Sequence, residues 1–422
     1  MPEGDRLDYS DDDGAVSIEL GVSRRKLMKQ LSAVGLAGGL TSFAGCSSLR
    51  SDDATETEQS TPADDGGSSD SSGQGGNDSE IPPFTRVPLV PPPTRDSLDL
   101  SEPQDPERHM AFVVHNGTNQ FFTPVIAGMN DALNKLGWTG EFVGPNGNNQ
   151  SKQVEIMNTK ISSLEANHDL LGTTVLDASS YAAPVKRAMD KGVTVVQYNT
   201  TVNDWDFDFM MEEFGNVLPY VGQNQFPAGN AVGITAYEKA QEKLGSDTQL
   251  TVLPCIGVPG HPALQARTDG IVNAIGAQDN VEVLEQLNVS TDVSQATTRV
   301  NDAYQANNDI NVILGSGFWG PAAAAKLVEN EGLQDEIIVG GFDLPESTLN
   351  GIQNGTVTFT VGQDPYSQGF QPVMLGYEYV DRGIPMKDYI TGVEIVDESN
   401  VEFAVQRSGS WPDLRSWQKN NY

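Results

Sequence analysis

Cysteine is almost missing from the sequence, with only Cys46 and Cys255 among 422 residues. Cys46 falls in a leader described below, so the folded part keeps one thiol and cannot form an intramolecular disulfide. Leu253 and Ile256 flank Cys255, which reads as a buried strand thiol rather than a nucleophile. Histidine is as scarce: His109, His115, His168 and His261 show no ligand spacing with cysteine or with one another, so they read as ordinary surface or loop residues. No metal or other cofactor is expected. Positive charge is short as well, 25 Lys and Arg against 58 Asp and Glu, a formal net charge of -33. A uniform negative field repels phosphates, which argues against nucleic acid and anionic membrane surfaces as partners. The hydrated acidic surface points to a halophilic, high-salt habitat, with an acidic linker adding to the total.

The longest apolar stretch near the front, residues 31–45, is Gly-rich and too short to span a bilayer comfortably. It follows Ser23-Arg24-Arg25-Lys26-Leu27-Met28-Lys29 and resembles a twin-arginine export signal. Phe43-Ala44-Gly45-Cys46 then resembles a lipoprotein box, with Phe43 in place of the usual leucine. Residues 1–46 are therefore expected to be an export signal, and Cys46 the lipidated residue that holds the chain on the outer face of the cytoplasmic membrane. Residues 47–108 are mostly Ser, Asp, Gly and Pro, which cannot bury enough apolar surface to offset their ordering entropy. This stretch is read as a disordered tether, stiffened by Pro82-Pro83 and Pro91-Pro92-Pro93.

With 37% hydrophobic residues there is material for one or two ordinary cores. Residues 110–114 are an apolar run suited to a strand buried on both faces. The turn-formers His115, Asn116, Gly117, Thr118 and Asn119 follow, and then Phe122, Val125, Ile126, Met129, Leu133 and Leu136 recur at helical spacing. This strand, loop and helix unit repeats, with further strands expected over 139–143, 170–176, 193–197 and 220–223. A helix over 228–244 leads to a second run of strands over 250–256, 281–286, 312–314, 337–341 and 356–361. Helices are expected over 181–191, 262–275, 293–306, 321–331 and 366–381, and short segments at 394–396 and 402–405 finish the chain. The fold class is α/β: two doubly wound parallel-sheet lobes with a hinge and an interlobe cleft. Residues 109–222 with 363–383 form the first lobe and 223–362 with 384–422 the second, with crossings near Gly222, Gly362 and about Gly383.

In such sheets ligands bind beyond the carboxyl ends of the strands. The polar and aromatic residues expected there are Asn119, Phe121, Phe122, Asp177, Asn199, Gln223, Arg267, Phe318, Trp319, Asp343 and Gln363. Flat rings suit the C–H faces of a sugar, and amides with one carboxylate and one guanidinium suit its hydroxyls. With Arg267 the one cation in the set, an anionic ligand is disfavoured.

From Met110 to the C-terminus the chain resembles the sugar-binding proteins of ABC importers, in particular the ribose-binding, type I periplasmic-binding-protein branch. Asn119-Gln120-Phe121-Phe122 is similar to that family's Asn-Pro-Phe-Phe loop, and Arg267 in His261-Pro262-Ala263-Leu264-Gln265-Ala266-Arg267 to its hydroxyl-binding arginine. Gly341-Phe342-Asp343 and Val361-Gly362-Gln363 match two more contact sites. Asn199 stands where the family usually has Asp, Gln120 replaces Pro, and Gly317-Phe318-Trp319 replaces Asn-Asp. The resemblance implies a monomeric receptor, not an enzyme, which takes a neutral sugar from outside the cell to ABC permease subunits. Its ligand residues would be Asn119, Phe121, Phe122, Asn199, Arg267, Phe318, Trp319, Asp343 and Gln363, with at least one of the two phenylalanines facing the cleft.

Three other readings compete: a receptor for a nucleoside or signalling sugar, an exported nicotinamide-dependent oxidoreductase, and a glycosidase. The second rests on Gly315-x-Gly317-x-x-Gly320, which follows a strand, opens a helix and precedes Asp343. The third rests on Asp177 and Asp343 as a carboxylate pair. For the anchor, Cys46→Ala is expected to release folded protein into the medium or to leave the signal uncleaved in the membrane. A Cys46→Ala protein that partitions like the parent after signal removal would rule out the lipid.

Overall fold

The computed structural model describes residues 107–409. The export signal, Cys46 and all of the tether but residues 107 and 108 lie outside the described residues, as do 410–422. Strand β1 (His109–Val113) is buried after its first residue, as a strand covered on both faces must be. The chain then turns: Asn116 Oδ1 accepts from Thr118 N, and Asn119 Oδ1 accepts from Phe121 N to cap a 3-10 turn over Gln120–Phe122. Helix α1 (Thr123–Leu136) starts with a proline in its first turn and stops at Gly137, whose φ of 71° suits glycine. Its stripe of Val125, Ile126, Met129, Leu133 and Leu136 is buried as the spacing predicts.

The unit recurs through β2 (Thr139–Val143), α2 (Gln150–Ser163), β3 (Leu170–Thr173), α3 (Ala178–Asp190), β4 (Thr194–Tyr198), α4 (Phe207–Phe214) and β5 (Tyr220–Gly222). A second run has α5 (Gln225–Leu244), β6 (Leu250–Ile256), α6 (Pro262–Ile275), β7 (Val281–Val283), β8 (Leu287–Asn288) and α7 (Val293–Ala306). It continues with β9 (Val312–Gly315), α8 (Trp319–Glu331), β10 (Ile338–Gly340), α9 (Glu346–Gln353) and β11 (Phe359–Gly362). The chain ends in α10 (Pro365–Arg382), β12 (Tyr389–Ile390), β13 (Glu394–Asp397) and α11 (Val401–Gly409).

The first sheet has the order β12-β5-β4-β3-β1-β2 and the second β10-β9-β6-β7, with β8 also on β6. All pairings within both are parallel. An antiparallel pair, β11 with β13, joins the second sheet through the bridge Phe342–Val361. Two doubly wound sheets are therefore present, as expected.

Four details depart from the expected boundaries. Tyr389 and Ile390 pair with Val221 and Gly222 on the first sheet, so the chain stays with that lobe past Gly383 and crosses near Gly392. Asp388 fixes this edge by accepting from Tyr220 N at 2.9 Å. The strand expected over 281–286 is two short strands, because Leu284 N bonds Val252 O and the chain then pairs again only at Leu287. The segment 402–405 is helical: Val401 and Ala404, three apart, are the residues it buries. Helices α4 and α9 were not expected at all; α4 is short and buries no residue fully, so no apolar stripe marks it.

Each lobe holds a helix pair in backbone contact. Helices α1 and α10 cross at Gly128 and Gly369, where a Cβ on Gly369 would lie 1.8 Å from Val125 O. Helices α5 and α6 do the same at Gly229 and Gly270, a Cβ on Gly229 lying 2.1 Å from Arg267 O. Gly369→Ala should therefore lower stability by about 1–3 kcal/mol, against the higher helix propensity of alanine. Denaturant unfolding measures this, and an unchanged midpoint would mean that the helices can part freely.

Candidate functional site

The strand order reverses between β1 and β3 in the first sheet and between β6 and β9 in the second. Loops leaving the strands at these points face one cavity of about 50 Å³. The first lobe lines it with His115, Asn119, Phe121, Phe122, Asn148, Asn199 and Thr200. Val258, His261, Ala263, Leu264, Arg267, Trp319 and Asp343 line it from the other side, and Gln363 lines it at a crossing. A larger hollow, about 640 Å³, lies beside α1, β2 and α2 and is lined by Ile126, Phe142, Lys152, Glu155, Ile156 and others. It belongs to one lobe alone, so occupancy there touches no second lobe, and the interlobe cavity is the candidate site.

Arg267 is at the floor, on α6, and is 4% exposed. Its Nε donates to Gln225 Oε1 at 2.7 Å, its Nη1 donates to Ser316 O at 3.1 Å, and its plane lies 4.2 Å over the Phe342 ring. Of the five N–H donors of a guanidinium these bonds use two, which leaves the rest for the cavity. Burial lowers its pKa, opposed by the charge of Asp343. Asp343 is raised by burial, opposed by Arg267 and by the hydrogen bond from Gln363 Nε2 to its Oδ1 at 2.6 Å. Each charge is thus the other's main electrostatic support in a buried site.

The backbone at this site is strained. Asn199, Asp343 and Asp364 are non-glycine residues with φ of 61°, 74° and 46°. Such residues cluster where surrounding structure dictates a functional geometry, and Asn and Asp tolerate it best. The Asn199 carboxamide accepts from Thr200 Oγ1 at 2.9 Å and donates to Gln368 Oε1 at 3.0 Å.

Of the polar and aromatic residues expected at the site, all except Phe318, Asp177 and Gln223 border this cavity. Phe318 instead packs its ring on Trp319, centroids 4.8 Å apart, and only the tryptophan reaches the lining. Phe121 and Phe122 both border it, meeting edge to face at 5.1 Å, while Phe122 also belongs to the core of the first lobe. Asn119 is partly committed, since its Oδ1 caps the 3-10 turn. Asp177 is elsewhere: it caps α3 by accepting from Ser180 N, and it forms no pair with Asp343. Gln223 is buried at the crossings, donating to Gly392 O and, more weakly, Gly362 O.

The glycines of Gly315-x-Gly317-x-x-Gly320 are needed for packing. A Cβ on Gly320 would lie 2.6 Å from Cys255 Cβ, and one on Gly317 would meet the Trp319 indole at 2.7 Å. That indole fills the space where the loop would have to admit a pyrophosphate. Cys255 is buried as expected, and burial pushes its thiol up to about 12.

Two histidines correct the sequence reading. His115 and His261 are not surface residues but buried ones, each lining the cavity from a different side. Their rings meet edge to face at 5.2 Å, and His115 also meets Phe122 at 5.6 Å. His115 Nδ1 is 3.1 Å from Thr174 Oγ1, whereas His261 Nδ1 is buried with no hydrogen-bond partner among the described residues. The signal was positional: His115 stands directly after the apolar run of β1, at the strand end where a ligand site belongs.

The fold and cleft define a two-lobed α/β binding protein, and the sequence comparisons agree. The periplasmic binding protein domain matches residues 110–384, so the chain belongs to that family. It is similar to the xylose/arabinose-binding protein XylF of Sulfolobus acidocaldarius, 24% identical over 320 residues, 74% of this chain and 77% of that one. The D-allose-binding periplasmic protein of Escherichia coli is 23% identical over 262 residues, 61% of this chain and 80% of its own. Among solved structures, GanP, a glucose-galactose binding protein from Geobacillus stearothermophilus, has a TM-score of 0.60 at 21% identity, covering 70% of this chain and 98% of that one. An ABC transporter solute-binding protein from Burkholderia graminis, in complex with D-arabinose, has a TM-score of 0.61 at 24% identity, covering 70% and 98%.

The histidine pair predicts a pH dependence. Burial lowers His261 to about 4, helped by Arg267, and puts His115 well below 6.5, helped by His261. The unfolded chain binds protons on these imidazoles from about pH 6.5 downwards, before the folded chain does. Their neutral burial therefore adds stability that is full above about pH 6.5 and is lost as pH falls toward 4. Asp343, raised in the folded state, has the opposite sign and favours the fold at low pH. Between pH 7 and 5 the parent should lose stability more steeply than His261→Gln in urea titrations. Equal slopes would mean that the imidazole is not held neutral.

Proposed function

We propose that the chain is an extracytoplasmic solute receptor that closes on a neutral sugar and presents it to an ABC-type importer. The observation that carries this reading is the composition of the shared cavity. One buried guanidinium is matched by one carboxylate, and Asn119, Asn199 and Gln363 supply amides. Phe121, Phe122 and Trp319 supply ring faces, and no second cation is present to hold an anion. Hydroxyls both donate and accept, so a polyol can use Arg267 and Asp343 at once. Relatives that bind xylose, arabinose and allose support the same class of ligand. In this reading the protein binds without catalysing, and it acts as a monomer tethered through a lipid on Cys46.

A ligand favours closure only by contacts that it makes better in the closed state, which needs residues from both lobes. Calorimetry with pentoses, hexoses, inositols and nucleosides tests the ligand class, and small-angle scattering tests compaction on binding. Removing Arg267 or Asp343 leaves the other charge buried and unpaired, a loss of about 1–3 kcal/mol. Arg267→Ala and Asp343→Ala should each weaken sugar binding roughly tenfold to a hundredfold. Parent-like affinity in both variants would overturn the assignment of this cavity, and absence of binding by any of these solutes would overturn the receptor reading.

A further inference from the structure

Gln368 is fully buried on α10 and does not line the cavity, yet it bonds two residues that do. Asn199 Nδ2 donates to Gln368 Oε1 at 3.0 Å. Gln368 Nε2 donates to Gln363 O at 2.9 Å and to Gln363 Oε1 at 3.3 Å, and Gln363 Nε2 donates to Asp343 Oδ1 at 2.6 Å. A return path exists as well: Gln225 Nε2 reaches Asn199 O at 3.3 Å while Gln225 Oε1 accepts from Arg267. The polar groups of the two lobes thus form one circuit through the chain crossings, closed between Asp343 and Arg267 by charge rather than by a hydrogen bond.

The circuit has a direction. An ionised carboxylate only accepts, so Gln363 must turn its NH₂ toward Asp343. Its Oε1 then faces Gln368, which answers with its own NH₂ and so points its Oε1 at Asn199. Asn199 in turn gives its NH₂ to Gln368 and keeps Oδ1 for the Thr200 hydroxyl. Aligned donors polarise one another, so the chain holds each amide against flipping.

We propose that Gln368 is a positioning residue that passes the orientation of Gln363, fixed by Asp343, on to the amide of Asn199, and so sets which sugar hydroxyl stereochemistry the cleft accepts. This rests on the sugar-receptor reading above. The side chain links the Asn199 amide of the first lobe to Gln363 at the crossing, and it has no exposure of its own. Without it, Asn199 keeps only the Thr200 hydroxyl, which can donate or accept, so its amide can present either end to a ligand, while Gln363 stays tied to Asp343 but loses the donor to its Oε1.

The test uses the full chain with Gln368→Met, which keeps length but removes all three side-chain hydrogen bonds, and Gln368→Glu, which keeps an acceptor and removes the donor. Calorimetry is run with D-xylose, L-arabinose, D-ribose, D-glucose, D-galactose and D-allose. The preferred sugar should bind five- to fiftyfold more weakly in either folded variant, and the preference between epimers should narrow at least threefold. Asn199→Ala combined with Gln368→Met should lose less than the product of the single losses, because the two act on one chain of bonds. Affinity within twofold of the parent, an equal loss for all six sugars, or multiplicative losses would each overturn the proposal. If the parent binds none of the six, the receptor reading fails, and a ligand-free double-mutant cycle of unfolding on the same pair tests the relay by itself. Coupling there upholds it, and strict additivity overturns it.

Discussion

A guanidinium taken out of water has to be met on every side, and Arg267 dictates much of what surrounds it. A backbone carbonyl at Ser316, a side-chain carbonyl at Gln225, and the face of Phe342 with the charge of Asp343 next to it come from three different segments. Each has to arrive at the right depth. Gln225 is the first residue of α5, just past the first crossing, so the arginine is tied to the start of the second lobe as well as to its sheet. Asp343 reaches it only by taking a left-handed backbone conformation one residue after Phe342, whose ring supports the arginine from below. That conformation keeps the carboxylate near enough for its charge to support the buried guanidinium.

The same arginine explains why a chain with a net charge of -33 can hold a nearly neutral site. Acidic residues are carried where water solvates them, while the cleft has one carboxylate matched to one guanidinium. The two neutral imidazoles add bulk and hydrogen-bonding capacity without charge at neutral pH. A site so balanced discriminates by the positions of donors and acceptors and by ring faces, not by long-range attraction.

How much of this was legible in the sequence follows from what leaves a periodic trace. The strand, loop and helix unit around residues 110–136 was, because β1 is apolar on both faces and α1 buries one stripe. Asp343 and Gln363 were legible from their places beside glycines at strand ends, and Arg267 from the resemblance of residues 261–267 to the family's arginine segment. Strand β12 was not: two exposed residues, Tyr389 and Ile390, join the sheet through backbone pairing and the Asp388 bond to Tyr220 N, neither of which patterns the side chains. The last helix was obscured because Val401, Phe403 and Val405 alternate like a strand, and only tertiary contact selects Val401 with Ala404 as the buried face. The buried histidines were missed for a related reason: isolated polar residues carry no period, and their burial depends on a second lobe arriving opposite them.

Where the molecule is rigid determines where it can move. Within each lobe a helix pair meets backbone to backbone at glycines, a contact with no side chain to yield, so neither lobe deforms easily there. Freedom is left to the crossings, and there the Gln223 amide donates to the carbonyls of Gly392 and Gly362, so that one side chain touches all three strands. Tyr220, at the first crossing, sends its hydroxyl to Asn199 O and Gln223 O, and Gln363 follows Gly362 directly. Cleft and crossings therefore share residues and hydrogen bonds. A shift at the crossings must turn Asn199 and Gln363 with it, so the orientation of the binding groups and the angle between the lobes are one mechanical variable.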